Sequence, residues 1–263
     1  MKSVRMIFLF IAAFIAMGLA ASFLLPREAE KNADAVIKMG AGDDISGVLM
    51  SETARELSGK YKVSKSLERS SFQDCCSNTA QWALNAGEIN VGFYCSHIAR
   101  HTVENNPDVM IYGPAVMNGE IICYKGDWDD VKKVGVTQGR EQQKSIAKAS
   151  YPQIEEFNEI TQKGILYALE DGQVDALILD LTKAAETLTG QYRPLSDMDY
   201  ISYVLVVDKE FAATKEFHDF IESYNRAAER LNNKAYLAET LGVGEAWLSD
   251  KAVKFLTIGE NEE

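Results

Sequence analysis

Three of the four cysteines in this 263-residue chain fall where they could bind a metal ion. Cys75 and Cys76 are adjacent in a polar segment that leads into a predicted helix, and Cys95 follows a short apolar run that predicts a strand. A helix N-terminus lowers the pKa of a thiol, and thiolate sulfur is the ligand that soft metals prefer. His97, two residues beyond Cys95, adds a nitrogen. The sequence therefore predicts a soft-metal site at Cys75, Cys76 and Cys95.

The same cysteines also have a purely structural interpretation. An exported protein with an even number of cysteines commonly forms disulfides, and Cys75 or Cys76 could bridge to Cys95. Adjacent cysteines cannot both pair with one partner, however, and a chain of this length can build a core without covalent links. Metal ligands and a disulfide both remain open from the residues alone.

The composition excludes several classes of protein. With 46% hydrophobic and 25% charged residues, the chain is typical of a globular protein and not of a disordered or fibrous one. Its net charge of -12 argues against nucleic-acid binding, because nothing offsets repulsion by the phosphates. The same charge does not oppose a cationic solute.

Residues 1–30 are predicted to be a signal peptide or an N-terminal membrane anchor. Met6–Leu25 is an uninterrupted apolar run, long enough to span a bilayer as a helix, and Lys2 and Arg5 precede it. Positive residues stay on the cytoplasmic side, so we expect residues 31–263 on the outside. The protein would be anchored at the cell membrane, or periplasmic if the segment is cleaved.

The remainder of the chain alternates short apolar runs with helical patterns, which is typical of an α/β protein with largely parallel sheets. Two such series are joined by two extended crossings, predicted near residues 117–124 and 200–207. This arrangement predicts two lobes with a cleft between them. We expect the protein to be a monomer. The predicted lobes are residues 33–117 with 200–263, and residues 124–195.

One helix of the second half of the chain is strongly amphipathic. Its apolar positions, spaced three or four residues apart, are predicted to face the core of the first lobe. These positions are Phe217, Phe220, Ile221, Tyr224 and Leu231.

Polar residues follow several of the predicted strands. Open parallel sheets bind ligands beyond the carboxyl ends of their strands, where helix N-termini direct N–H groups at the solute. Capping of helices by Thr and Asp is the structural alternative. Besides the three cysteines, the predicted ligand-binding residues are Asp43, Asp44, Ser77, Thr137, Gln138, Arg140 and Asp180.

Two motifs in the second half resemble a known family. Val134–Gly139 (VGVTQG) and Ala168–Asp180 (ALEDGQVDALILD) are similar to segments of type II extracytoplasmic solute-binding proteins of ABC transporters, in particular the nitrate, sulfonate and taurine group. The resemblance covers most of residues 35–240. It implies a bilobal, periplasmic-binding-protein-like type II fold that closes on a small solute and delivers it to a permease driven by an ATPase. No cofactor and no catalysis are implied.

A shorter segment departs from that group. Asp74–Ser77 (DCCS) resembles the substrate-binding protein of the selenocysteine-assisted organometal transport system, which implies a thiophilic metal or organometal held by Cys75 and Cys76. A small organic anion such as a sulfonate or nitrate, with structural cysteines, is the alternative ligand. An organometal-cleaving enzyme with Asp74 as proton donor is a further alternative, which turnover would distinguish from a carrier.

Overall fold

The computed structural model of the protein describes most of the chain after the N-terminal apolar run. The described residues are 36–40, 42–63, 83–187, 190–249 and 251–259. The predicted signal or anchor and the segment Asp74–Ser77, with Cys75 and Cys76, lie outside these ranges. Within the described ranges, no helix is both long enough and apolar enough to cross a bilayer.

Strands and helices alternate through the described residues. The strands are β1 Met39–Gly40, β2 Val91–Cys95, β3 Val109–Met117, β4 Glu120–Tyr124, β5 Lys133–Thr137, β6 Glu156–Ile160, β7 Ala176–Asp180, β8 Gln191–Pro194, β9 Ile201–Asp208 and β10 Lys254–Phe255. The helices are α1 Ile45–Leu57, α2 Ser96–Asn105, α3 Glu141–Ser150, α4 Ile165–Glu170, α5 Leu181–Thr187, α6 Lys209–Ala212, α7 Lys215–Leu231 and α8 Lys234–Leu241.

The strands form two five-stranded sheets. One sheet has the order β1-β2-β9-β3-β10, and we call the half of the molecule built on it lobe 1. The other has the order β6-β5-β7-β4-β8 and belongs to lobe 2. In lobe 1, β9 runs antiparallel to both of its neighbours, β2 and β3. In lobe 2, β4 does the same between β7 and β8. The predicted bilobal α/β class is confirmed. The prediction of largely parallel sheets is wrong, because five of the eight pairings between the described strands are antiparallel.

The chain passes between the lobes through two short segments that lie side by side. The first is Asn118–Gly119, between β3 and β4, and the second is residues 195–200, between β8 and β9. Most residues of the two predicted crossings belong instead to β4 and β9, the strands that follow the passages and enter the other sheet. An apolar extended run has the same pattern as a link and as an inserted strand, so the sequence could not separate the two.

Asn118 links the two passages by hydrogen bonds. Its N–H donates to the carbonyl of Tyr200 at 3.1 Å, and its side-chain Oδ1 accepts the Tyr200 N–H at 3.1 Å. Its Nδ2 donates to Asp199 Oδ1 at 2.7 Å and to the Ala252 carbonyl at 3.0 Å. Its φ of 55° lies in the left-handed region, which asparagine tolerates better than most residues.

The amphipathic helix predicted around residue 220 is α7, and its apolar face is buried as expected. All five of its predicted core residues are at most 4% exposed. Phe220 stacks against Phe217, with ring centroids 5.9 Å apart, and against Tyr224 at 6.3 Å. Because α7 packs against α1, this core also holds the N-terminus of α1 in place at the cleft.

The residue that ends α8 has a left-handed backbone conformation, which a substitution can test. Gly242 ends this helix with φ 68° and ψ 28°. Gly242→Ala should lower the free energy of unfolding by about 1 kcal/mol, because L-residues are strained in this conformation. Urea denaturation measures the change.

Gly59 provides the matched control. A Cβ at either glycine would meet no atom within 4 Å, but only Gly242 has a left-handed φ. Gly59→Ala should therefore leave stability unchanged or slightly raise it. Equal losses in both variants would contradict the assignment.

Candidate functional site

A cavity of about 60 Å³ lies between the two lobes. Lobe 1 contributes Asp43 and Asp44, which precede α1. Lobe 2 contributes the carboxyl ends of β5 and β7 and the helices that follow them, as expected for an open parallel sheet. The lobe 2 residues that line the cavity are Glu120, Val136, Thr137, Arg140, Gln143, Gln162, Ile165, Leu166, Ile178, Leu179, Asp180 and Lys183.

Asp44 is the N-cap of α1. Its Oδ1 accepts the N–H groups of Ser46 at 3.0 Å and Gly47 at 3.2 Å, and the Ser46 hydroxyl at 2.5 Å. The side chain is buried and lines the cavity. The carboxylate that the sequence predicted as a ligand-binding group therefore also caps the helix that presents it.

Asp180 ends β7 and connects the lobes. Its Oδ1 accepts the N–H of Thr182 at 2.9 Å and the Thr182 hydroxyl at 2.6 Å, both in lobe 2. The same oxygen accepts the N–H of Ile45, the first residue of α1 in lobe 1, at 3.0 Å. Its Oδ2 accepts the hydroxyl of Tyr203, also in lobe 1, at 3.2 Å. One carboxyl group thus receives donors from both sides of the cleft.

Two more contacts join the lobes beside the cavity. Lys183 Nζ lies 2.8 Å from Asp43 Oδ2, which pairs the start of α5 with the loop before α1. Gln142 Nε2, on α3, donates to the Ile201 carbonyl at 2.9 Å. The structure is therefore a closed arrangement of the two lobes.

Glu120 is buried where the first passage enters lobe 2. Its Oε1 accepts the Gln143 amide at 2.8 Å, and Arg140 Nη1 lies 3.8 Å away. Its Oε2 accepts the hydroxyls of Ser202 at 2.6 Å and Tyr200 at 3.1 Å. The carboxylate links α3 of lobe 2 with the beginning of β9 in lobe 1.

The N–H groups at the start of α1 and α5 are bound by the protein's own carboxylates. Asp44 takes those of Ser46 and Gly47, and Asp180 takes those of Ile45 and Thr182. In proteins that bind anions at helix N-termini, oxygens of the ligand accept such bonds. The cavity is also rich in carboxylates, since four line it with two cationic side chains. They are Asp43, Asp44, Glu120 and Asp180, with Arg140 and Lys183.

This arrangement raises the pKa of the Asp180 carboxyl to about 8. Burial is the main cause, the charge of Asp44 is the second, and Glu120 adds to them, while the bonds from Thr182 act in the opposite direction. The folded protein binds this proton more tightly than the unfolded chain does. Protonation of Asp180 therefore makes its full contribution to the stability of the fold below about pH 4. That contribution is lost as the pH rises through about 8.

Cys95 and Cys123 lie in the sheets. Cys95 is 3% exposed, ends β2 and is in register with Tyr203 on β9, but it does not line the cavity. Burial raises the pKa of the Cys123 thiol, in β4, to about 11, which disfavours the thiolate that metals need. Within the described part of the chain, no three His, Cys, Asp or Glu side chains are arranged to hold a metal ion. The metal-binding role of Cys95 stays a prediction.

The structure brings together five of the predicted site residues and places others elsewhere. The five that line the cavity are Asp43, Asp44, Thr137, Arg140 and Asp180. Gln138 is exposed outside it, and its N–H donates to the Ile160 carbonyl. Cys75, Cys76 and Ser77 lie outside the described residues.

Sequence reasoning missed Glu120, Gln143 and Lys183. A signal for Glu120 does exist, since a charged residue begins the otherwise apolar run EIICY directly after Asn118–Gly119. Gln143 and Lys183 occupy ordinary polar helix positions, and no sequence feature distinguishes them.

Solved structures of similar fold were found by comparison. The ligand-binding component of an ABC-type import system from Staphylococcus aureus, with zinc bound, has a TM-score of 0.64 at 15% identity, over 84% of this chain and 85% of that one. The periplasmic aliphatic sulphonate binding protein SsuA from Escherichia coli has a TM-score of 0.56 at 17% identity, over 83% and 85%.

A third similar structure is the Candida albicans CA3427 gene product, whose family is described as having the generic periplasmic binding protein fold. Its TM-score is 0.55 at 12% identity, over 84% of this chain and 82% of that one. A scan against protein-family models and a search of curated proteins found no match. The similarities establish the fold class, which is that of the periplasmic binding proteins.

Proposed function

We propose that this protein is the extracytoplasmic substrate-binding component of an ABC importer, and that it captures a cationic solute between its lobes. The transport role is supported by the family resemblance of the sequence and by the shared fold of the Staphylococcus aureus and Escherichia coli binding proteins. The charge of the solute is inferred from one observation. Asp44 and Asp180 accept the N–H groups at the starts of α1 and α5, two of the helix N-termini where an anionic solute could otherwise bind.

A bound cation would reduce the electrostatic repulsion between carboxylates in the closed cleft. Asp44 comes from lobe 1 and Asp180 from lobe 2, and closure brings the two carboxylates to the same small cavity. Like charges in a site with little water repel strongly. A bound positive charge offsets that repulsion, and such a solute therefore favours the closed state over the open one.

The finer proposal is a thiophilic metal or an organometal cation held by cysteine sulfur. Oxygens of Asp44, Glu120 and Asp180 already accept hydrogen bonds from the protein, so these groups supply negative charge and not a complete ligand set. Soft ligands would come from Cys75 and Cys76, with Cys95 as the third. Cys95 pairs in register with Tyr203, whose hydroxyl reaches Asp180 at the cavity.

The partners follow from this role. We propose that the protein hands its solute unchanged to a permease and its ATPase, acts as a monomer, and is held at the membrane by residues 1–30 or released to the periplasm. It would be a carrier and not an enzyme. Methylmercury recovered intact after incubation supports the carrier, whereas release of methane and inorganic mercury would support the organometal-cleaving enzyme.

Calorimetric titration of the full-length protein, reduced and then freed of reductant, tests the proposal. Methylmercury and mercuric ions should bind with one site per chain, zinc more weakly, and ethanesulfonate and nitrate without measurable heat. Binding of ethanesulfonate alone would overturn the proposed cation.

A specific observation favours an anion as the second candidate. Arg140 is the N-cap residue of α3, lies 3.8 Å from Glu120 and lines the cavity. A sulfonate or nitrate could bind there, between the guanidinium and the helix N-terminus. In that case Arg140→Ala would abolish ethanesulfonate binding and leave binding of mercuric ions unchanged.

A further inference from the structure

We propose that Asp180 is a positioning residue that helps to hold the lobes closed, and that a cationic solute enters the cleft in exchange for a proton on this carboxyl group. The inference rests on the proposed function for the charge of the solute. It goes beyond that function by naming the carboxyl group whose hydrogen bonds change on closure and by predicting that solute binding depends on pH.

The hydrogen bonds of Asp180 carry the proposal. Two of its four donors belong to lobe 1, the Ile45 N–H at 3.0 Å and the Tyr203 hydroxyl at 3.2 Å. Both bonds must break when the lobes separate, whereas the two bonds from Thr182 persist within lobe 2. Asp180 therefore has different partners in the closed and open states.

The charged groups around Asp180 explain why closure requires a positive charge. Asp44 faces it from α1 and Glu120 from β4, and both charges oppose its ionisation. Both cations that line the cavity have carboxylate partners. Lys183 contacts Asp43 at 2.8 Å and Glu186 at 3.2 Å, and Arg140 lies 3.8 Å from Glu120. Closing the cleft with Asp180 ionised thus brings like charges together, and either a proton or a cation offsets them.

The geometry accommodates both states of the carboxyl group. Oδ1 accepts three bonds, so the proton belongs on Oδ2, where the Tyr203 oxygen can accept it because a hydroxyl both donates and accepts. When a cation arrives, the proton leaves to solvent and the carboxylate remains. Burial and the neighbouring carboxylates hold the proton at neutral pH in the empty site.

The test compares the wild type with Asp180→Asn, which mimics the neutral acid and keeps an Oδ1 acceptor. Methylmercury is titrated at pH 7 in buffers of different ionisation enthalpy, so that released protons are counted. Thiols release protons in both proteins. The wild type should release more protons than the variant, because a pKa of about 8 leaves Asp180 mostly protonated at pH 7 in the empty site.

Small-angle scattering of the unliganded proteins gives the second readout. The wild type should open as the pH rises from 6 to 9, whereas Asp180→Asn should remain closed throughout. Asp171→Asn removes an exposed carboxylate of the same lobe and should behave as the wild type.

The outcomes separate this inference from the proposed function. Equal proton release and equal pH profiles in the wild type and Asp180→Asn would overturn the exchange while a cation still binds. If no cation binds but only the wild type opens as the pH rises, the role of Asp180 in closure is supported and the proposed function fails.

Discussion

Replacing both Cys75 and Cys76 by serine is expected to weaken methylmercury binding by more than about a hundredfold, equivalent to roughly 3 kcal/mol. A serine hydroxyl is a hard, protonated oxygen at neutral pH and a poor ligand for a soft metal, whereas a thiolate is a strong one. The carboxylates of the cavity would still attract a cation, so weak binding should persist. Calorimetric titration of the reduced full-length protein gives the affinity.

Cys123→Ala is the control for this double variant. It also removes a thiol, but one that is 2% exposed, lies in β4 and does not line the cavity. The affinity of this variant for methylmercury should stay within about twofold of the wild type, equivalent to about 0.4 kcal/mol. Unchanged affinity in the Cys75, Cys76 double variant would rule out thiolate coordination by this pair.

Phe220→Ala is expected to lower the free energy of unfolding by about 3–5 kcal/mol. The ring is fully buried and stacks on both Phe217 and Tyr224 along α7. Truncation removes these contacts and leaves a cavity that the rigid α1–α7 packing cannot fill. The midpoint of urea denaturation, followed by circular dichroism, measures the loss.

Tyr167→Ala tests whether aromatic truncation alone causes such a loss. Tyr167 also lies on a helix, α4, but is 65% exposed. Its replacement should change the free energy of unfolding by less than about 0.5 kcal/mol. Equal effects of the two substitutions would contradict the core assigned to α7.

Local patterns in the sequence were sufficient for the α/β class and for the helices with a clear apolar face. The face of α7 is an example, because a spacing of three and four residues specifies which side chains point inward. Asp44 and Asp180 were also found this way, as polar residues at the ends of predicted strands. Their burial and their bonding across the cleft were not predicted.

The two passages between the lobes show where such patterns are insufficient. The runs beginning at Glu120 and Ile201 are apolar and extended, which suits a link as well as a strand. Each becomes a strand because it finds partners on both sides in the sheet of the other lobe. Those partners are distant in sequence, so no local pattern specifies them.

By itself, the sequence determined the alternation of strands and helices, the acidic balance and the cysteine pair, since each is a property of residue type and spacing. The tertiary structure alone decided that Asp180 also accepts bonds from the other lobe. The bond from the Ile45 N–H to Asp180 joins residues 135 positions apart and connects the two lobes. That contact gives Asp180, which was predicted as a solute ligand, a partner in the other lobe, because hydrogen bonding depends on proximity in space and not along the chain.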